Sequence, residues 1–233
     1  MLKSVFRSLA TASVLAFSVG AAHAVTVSYQ VAGNPFGGNG NAGVTVDSKA
    51  GPDQTVSARA GGFSLSGDIF GNGDENFVAW CLDIVRYLAD DTEYEVTDTP
   101  FDEDSLTTVQ VIDIGRLFNT ARLGLDLASD AKSAGFQLAL WEIIYETGAE
   151  FKLATGNLTV TGEGAAIAAG QAFLDNLGGN VTQSWSLVFL QSTTETGNQN
   201  LVTATPVPVP AAAGLLLLAL GGLAAAGRRR RTT

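Results

Sequence analysis

Two apolar segments bracket this chain, and the charges that flank them set both apart from a folded core. At the N-terminus Lys3 and Arg7 precede an apolar stretch from Leu9 to Gly20, and Ala22-His23-Ala24 follows as an Ala-x-Ala site. This is the layout of a secretory signal peptide cleaved after Ala24. At the other end Pro206-Val207-Pro208-Val209-Pro210 leads into an apolar run, Ala211 to Ala226, and then into Arg228, Arg229, Arg230 and Arg231. As helix that run spans about 24 Å against a hydrocarbon core of about 30 Å, and snorkelling arginines extend its reach. The fold is thereby confined to residues 25–205. Residues 1–24 are the signal peptide, and 206–233 form a tail that enters the inner membrane over 211–227. The arginines stay on the cytoplasmic side, which leaves the body exported.

Val207-Pro208-Val209-Pro210-Ala211 resembles the VPLPA variant of the PEP-CTERM sorting signals, with Val209 in place of its Leu. Pro motif, apolar helix and Arg cluster are all present in the order of that class. The resemblance implies a Gram-negative bacterium and an exosortase-type membrane protease as partner. It also implies a body held in the periplasm before delivery to the cell surface or to an exopolysaccharide matrix.

Signal cleavage removes the sole histidine, His23, and the sole methionine. A Ser-His-Asp triad, a Cys-His dyad and a His-ligated metal are then excluded from the mature chain. One cysteine remains, Cys81, so no intramolecular disulfide can form. Six of the 13 Lys and Arg lie in the tails, so the body holds seven against all 23 Asp and Glu, a net of −16. That charge disfavours nucleic acid and anionic lipid surfaces as partners and suits solubility outside the cell.

Within the body the hydrophobic period changes twice. Val25, Val27, Tyr29 and Val31 alternate as a strand does, and short strands are expected at 44–46, 55–58 and 63–70. The strongest strand spans Phe77 to Val85, with 94–97 as its partner. The period then turns helical. Asp104 or Ser105 caps a first helix, and Ser129 or Asp130 caps a second. In the second, Ala134, Gln137, Trp141 and Tyr145 share one face while Phe136, Leu140 and Ile143 share another. Such a helix is buried, and Gln137 then needs a polar partner. Residues 164–177 form a third, Ala-rich helix, before strands return at 185–190 and 201–204. The order predicts an α+β fold: a mainly antiparallel β-sheet domain with an inserted helical segment, plus the signal peptide and the C-terminal transmembrane helix.

Three short blocks then stand out: Trp80-Cys81-Leu82-Asp83, Phe136-Gln137-Leu138-Ala139-Leu140-Trp141, and Gln199-Asn200-Leu201-Val202. Together they resemble the thioester domains of bacterial surface adhesins. The resemblance implies an internal thioester between the Cys81 side chain and that of Gln199, with Trp80, Gln137 and Trp141 in support. Gln137 and Gln191 remain open as the acyl partner. Phe136 stands where the family carries Thr, and Asn198 where it carries an apolar residue. A thiol pressed against a carboxamide can expel ammonia without a histidine if geometry supplies the effective concentration. The implied target is an amine-bearing surface or exopolysaccharide, and the chain would act as an adhesive protein, not an enzyme.

The other class of function is a non-covalent structural or carbohydrate-binding matrix protein, in which Cys81 simply fills space. Asp68, Asn72, Asp74 and Asn76 do not follow the spacing of an EF-hand and are a solvated turn. No carboxylate pair has a spacing that assigns a glycosidase, and no cofactor or metal is expected.

Overall fold

The computed structural model describes residues 23–49, 53–97, 106–122, 124–146, 148, 150–178, 184–193 and 198–207. Its strands are β1 (His23–Tyr29), β2 (Asn41–Ser48), β3 (Gln54–Gly61), β4 (Phe63–Gly67), β5 (Glu75–Cys81), β6 (Thr92–Thr97), β7 (Leu158–Gly162), β8 (Trp185–Ser192) and β9 (Leu201–Pro206). Its helices are α1 (Thr108–Leu117), which runs on as a π-helical turn over Phe118–Arg122, α2 (Asp130–Tyr145) and α3 (Gly164–Asp175). The fold is mainly antiparallel β with three α-helices.

The strands make two sheets. β1, β4, β5, β9, β8 and β6 close in that order into a barrel, and β2 lies between β3 and β7 in a three-stranded sheet. Only Gly62 separates β3 in one sheet from β4 in the other. The expected pairing of 77–85 with 94–97 is corrected here: β5 pairs with β4 and β9, whereas β6 pairs with β1 and β8. β5 also stops at Cys81 instead of running to Val85: Leu82 donates its N–H to the Asn200 carbonyl at 2.8 Å in register with the last rung, Cys81↔Leu201, and the pairing ends there. β7 was not expected between the helices. Its short run buries only Leu158 and Val160, and it exists because β2 offers it an edge.

The first helix is capped by Thr107. Its hydroxyl accepts from Gln110 N, and the Gln110 side chain accepts from Thr107 N at 2.8 Å, a closed capping box. The expected caps Asp104 and Ser105 lie outside the described residues. α2 is capped by Ser129, as expected, and every residue from Ser133 to Ile143 is buried. The helix is sandwiched: β2 and β3 cover one side and α3 another. The α2–α3 crossing depends on glycine. A Cβ on Gly135 would stand 2.8 Å from both Ala169 Cβ and Gly170 N. Gly135→Val is therefore expected to cost about 1–3 kcal/mol by overpacking a backbone contact that cannot retreat. A urea titration of that variant against Gly115→Ala, where an added Cβ meets nothing within 4 Å, checks it.

Residues up to 22 and from 208 onward lie outside the described residues, and with them Pro208, Val209, Pro210, Ala211 and Arg228 to Arg231. Among the described residues no helix is long and apolar enough to cross a membrane. Val207 is exposed and donates its N–H to the Ser184 carbonyl at 2.9 Å. His23 and Ala24 form the first two rungs of β1 against Val96 and Glu95. Cleavage after Ala24 would leave the register intact from Val25↔Tyr94 onward.

Candidate functional site

Cys81 is the last residue of β5, opposite Leu201 at the start of β9, and it is 1 % exposed. Strand alternation sends neighbouring side chains to opposite faces. Trp80 packs away from the site into an aromatic cluster, 4.6 Å from Phe136 and 5.5 Å from Phe118 between ring centroids. Cys81 faces a cavity of about 500 Å³, whose lining includes Trp141 and Gln199 but not Trp80. Phe136 is the hub of that cluster, also meeting Phe118 at 5.1 Å.

One face of α2 grips the segment that carries the cysteine. Gln137 Oε1 accepts from Cys81 N at 2.9 Å, and Gln137 Nε2 donates to the Cys81 carbonyl at 2.7 Å. The helix side chain thus takes the place of a β partner for one residue. One turn on, Trp141 lines the cavity; a further turn on, Tyr145 Oη donates to the Leu82 carbonyl and accepts from Ile84 N, both at 3.3 Å. Gln137, Trp141 and Tyr145 follow the i, i+4, i+8 spacing of one helix face. Tyr145 belongs to that face in the sequence, but its grip on the Leu82–Ile84 segment is a tertiary fact.

Gln199 reaches the same cavity from the chain entering β9. Its backbone N–H donates to the Tyr87 carbonyl at 3.2 Å, and its Nε2 donates to the Arg86 carbonyl. Its Oε1 is buried without a hydrogen-bond partner, and so is the indole N–H of Trp141. One acceptor and one donor are thus unsatisfied in the same cavity. The two neighbours of Gln199 are anchored: Asn200 N donates to Asp83 Oδ2 at 2.7 Å, and Asn198 Nδ2 donates to the fully buried Tyr94 Oη at 2.9 Å. Asn198 Oδ1 also accepts from Ala89 N at 2.8 Å. These bonds explain why a polar residue occupies that buried place. No sequence signal paired Tyr94 with Asn198, because the two are far apart along the chain.

The three glutamines are now distinguishable. Gln137 spends both ends of its amide on the Cys81 backbone. Gln191 lies on β8 opposite Glu95 and does not line the cavity. Gln199 lines it together with Cys81.

Burial pushes the Cys81 thiol well above its ordinary range, and the neighbouring Asp83 carboxylate pushes it further; the Asp83 backbone amide and the nearby Trp141 indole dipole act weakly in the opposite direction. The sulfur is therefore a neutral, shielded thiol towards outside reagents. Asp83 is itself raised by burial, against the pull of its bond from Asn200 and of Arg86.

Next to Trp141 on α2, Glu142 is fully buried, with Oε1 accepting from Lys152 N at 2.5 Å and Oε2 unpartnered. Burial first, and the nearby Glu146 carboxylate second, raise it from 4.5 to about 7. The folded state therefore holds this proton when the unfolded state has lost it, so stability falls as pH rises from 4.5 through about 7. Glu142→Gln keeps an acceptor for Lys152 N and removes the titration. Its melting temperature is expected to exceed that of the wild type at pH 8 by more than at pH 5. A constant difference would refute it.

Among the described residues no group of three or more His, Cys, Asp or Glu is placed to hold a metal ion. No family model matches the chain, and no curated protein does. In structure it is similar to the N-terminal domain of the Streptococcus pyogenes pilus tip adhesin Cpa, with a TM-score of 0.40 and 18% identity over 78% of this chain and 98% of that one. It is also similar to the N-terminal thioester domain of a surface protein from Clostridium perfringens, with a TM-score of 0.41 and 10% identity over 71% of this chain and 99% of that one. The placement of Cys81 and Gln199 stands on the cavity and its hydrogen bonds, independently of either likeness.

Proposed function

We propose that the body is an adhesive domain that forms an internal Cys81–Gln199 thioester and spends it once on an amine of its target. The carrying observation is that a buried thiol and a half-buried glutamine, whose carboxamide oxygen is itself buried, line one cavity from the end of β5 and the entry to β9. The sulfur attacks the Gln199 acyl carbon, the C–N bond breaks, and the amide nitrogen leaves as ammonia with the thiol proton. Gln137 holds the Cys81 backbone in place, supplying the proximity on which an uncatalysed intramolecular step depends. Trp141 excludes water, and its free N–H is a donor available to the acyl oxygen. The bond is consumed in use, so the domain is a single-turnover binder, not an enzyme.

Export and sorting complete the proposal, and they are supported by the sequence of the two tails. An exosortase-type protease would process the tail at its Pro motif in a Gram-negative inner membrane and release the body to the cell surface or exopolysaccharide matrix. Replacing Pro208 and Pro210 together by Ala is expected to keep the protein in the membrane fraction.

The intact mass of residues 25–205, with and without methylamine, tests the thioester. The expected mass is lower than the sequence mass by one ammonia, and methylamine is taken up once. A full sequence mass with no adduct would return Cys81 to a purely structural place in the core.

A further inference from the structure

The cavity over Cys81 carries a charge opposite to that of the body around it. Between residues 25 and 205 acidic residues outnumber basic ones 23 to seven, yet the charged residues among the cavity's described lining are Arg59 and Arg86, both cationic. They stand on different walls. Arg59 is exposed on β3, its Nε donating to Asn41 Oδ1 at 2.8 Å and its guanidinium 5.9 Å above the Phe36 ring. Arg86 is exposed on the loop after β5, and its own carbonyl receives the Gln199 amide. Between them the walls are apolar, with Val44, Val56 and Leu88, and Tyr87 stands at the mouth 84% exposed.

Two cations at the entrance have two effects on an amine. They oppose arrival of an ammonium ion and favour its neutral form, which is the nucleophile. They also attract any carboxylate carried beside it. Resting on the thioester proposed above, we propose that this cavity selects primary amines that carry a carboxylate on the same short segment, as a lysine in an acidic peptide does, over amines that stand alone. The amine nitrogen attacks the Gln199 acyl carbon, the C–S bond breaks, the amine proton passes to the Cys81 sulfur, and an amide remains.

The test compares 6-aminohexanoate with 6-aminohexanamide, two amines of equal length that differ in the carboxylate. Their uptake by residues 25–205 is followed by intact mass. The acid is expected to react about fivefold faster at low ionic strength, and the ratio to fall towards one at about 0.5 M salt. Arg59→Gln with Arg86→Gln should bring the ratio to one at every salt concentration. Equal rates in wild-type protein that does consume methylamine would overturn the selection and leave the thioester standing. Protein that consumes no methylamine would overturn the thioester. Selection is then read on Cys81→Ala protein from the amide NMR signals of residues 84–88: a response to the acid and not to the amide supports it, and equal or absent responses overturn it.

Discussion

Opening the Cys81–Gln199 bond with methylamine is expected to destabilise the body by about 5 kcal/mol. The proposed bond would join positions 81 and 199 and so close a loop of 118 residues in the unfolded chain. In the chain-entropy treatment of cross-links, a loop of that length removes about 5 kcal/mol of disorder from the unfolded state. For a body of this size that corresponds to a fall of roughly 10–20 °C in melting temperature. Calorimetry on untreated and methylamine-treated protein measures it. Gln199→Ala, which cannot form the bond, should melt with the treated sample and show a full sequence mass. Gln191→Ala should melt with the untreated one. Were Gln191→Ala to abolish the mass deficit instead, the acyl partner would be misassigned.

Gln137→Leu is expected to be the most damaging conservative substitution on α2. The leucine fits an apolar helix face, but it leaves the Cys81 N–H and C=O without partners in a buried position. Each orphaned group costs about 1–3 kcal/mol, so the variant should lose about 2–6 kcal/mol. The measurement belongs in a Cys81→Ala background, where no cross-link alters the unfolded state. Tyr145→Phe is the control. Its hydroxyl makes two longer bonds, both 3.3 Å, to the same segment, and its removal should cost about 1 kcal/mol. In the wild-type background Gln137→Leu should also slow thioester formation, because the sulfur is aimed by the backbone that Gln137 clamps. A Gln137→Leu protein as stable as its parent would show that Cys81 is placed by its strand neighbours alone.

The sequence by itself determined the local pieces. Period-two alternation located β1, and Ser129 with the apolar residues on both faces located α2 and its burial. The spacing Gln137, Trp141, Tyr145 placed on one helix face the three residues that meet the Cys81–Ile84 segment. Counting alone excluded an intramolecular disulfide, since Cys81 is the single cysteine. Tertiary structure decided everything that joins residues distant in the chain. β5 pairs with β9 and not with β6, since barrel closure and not sequence order sets strand neighbours. β7 is held by β2, and no pattern in five residues announces an edge that a distant strand will supply. The choice among Gln137, Gln191 and Gln199 was open for the same reason. A glutamine looks alike in any strand or helix, and its use depends on what folding brings to its amide: a backbone for Gln137, the far side of the barrel ladder for Gln191, and the cysteine's cavity for Gln199.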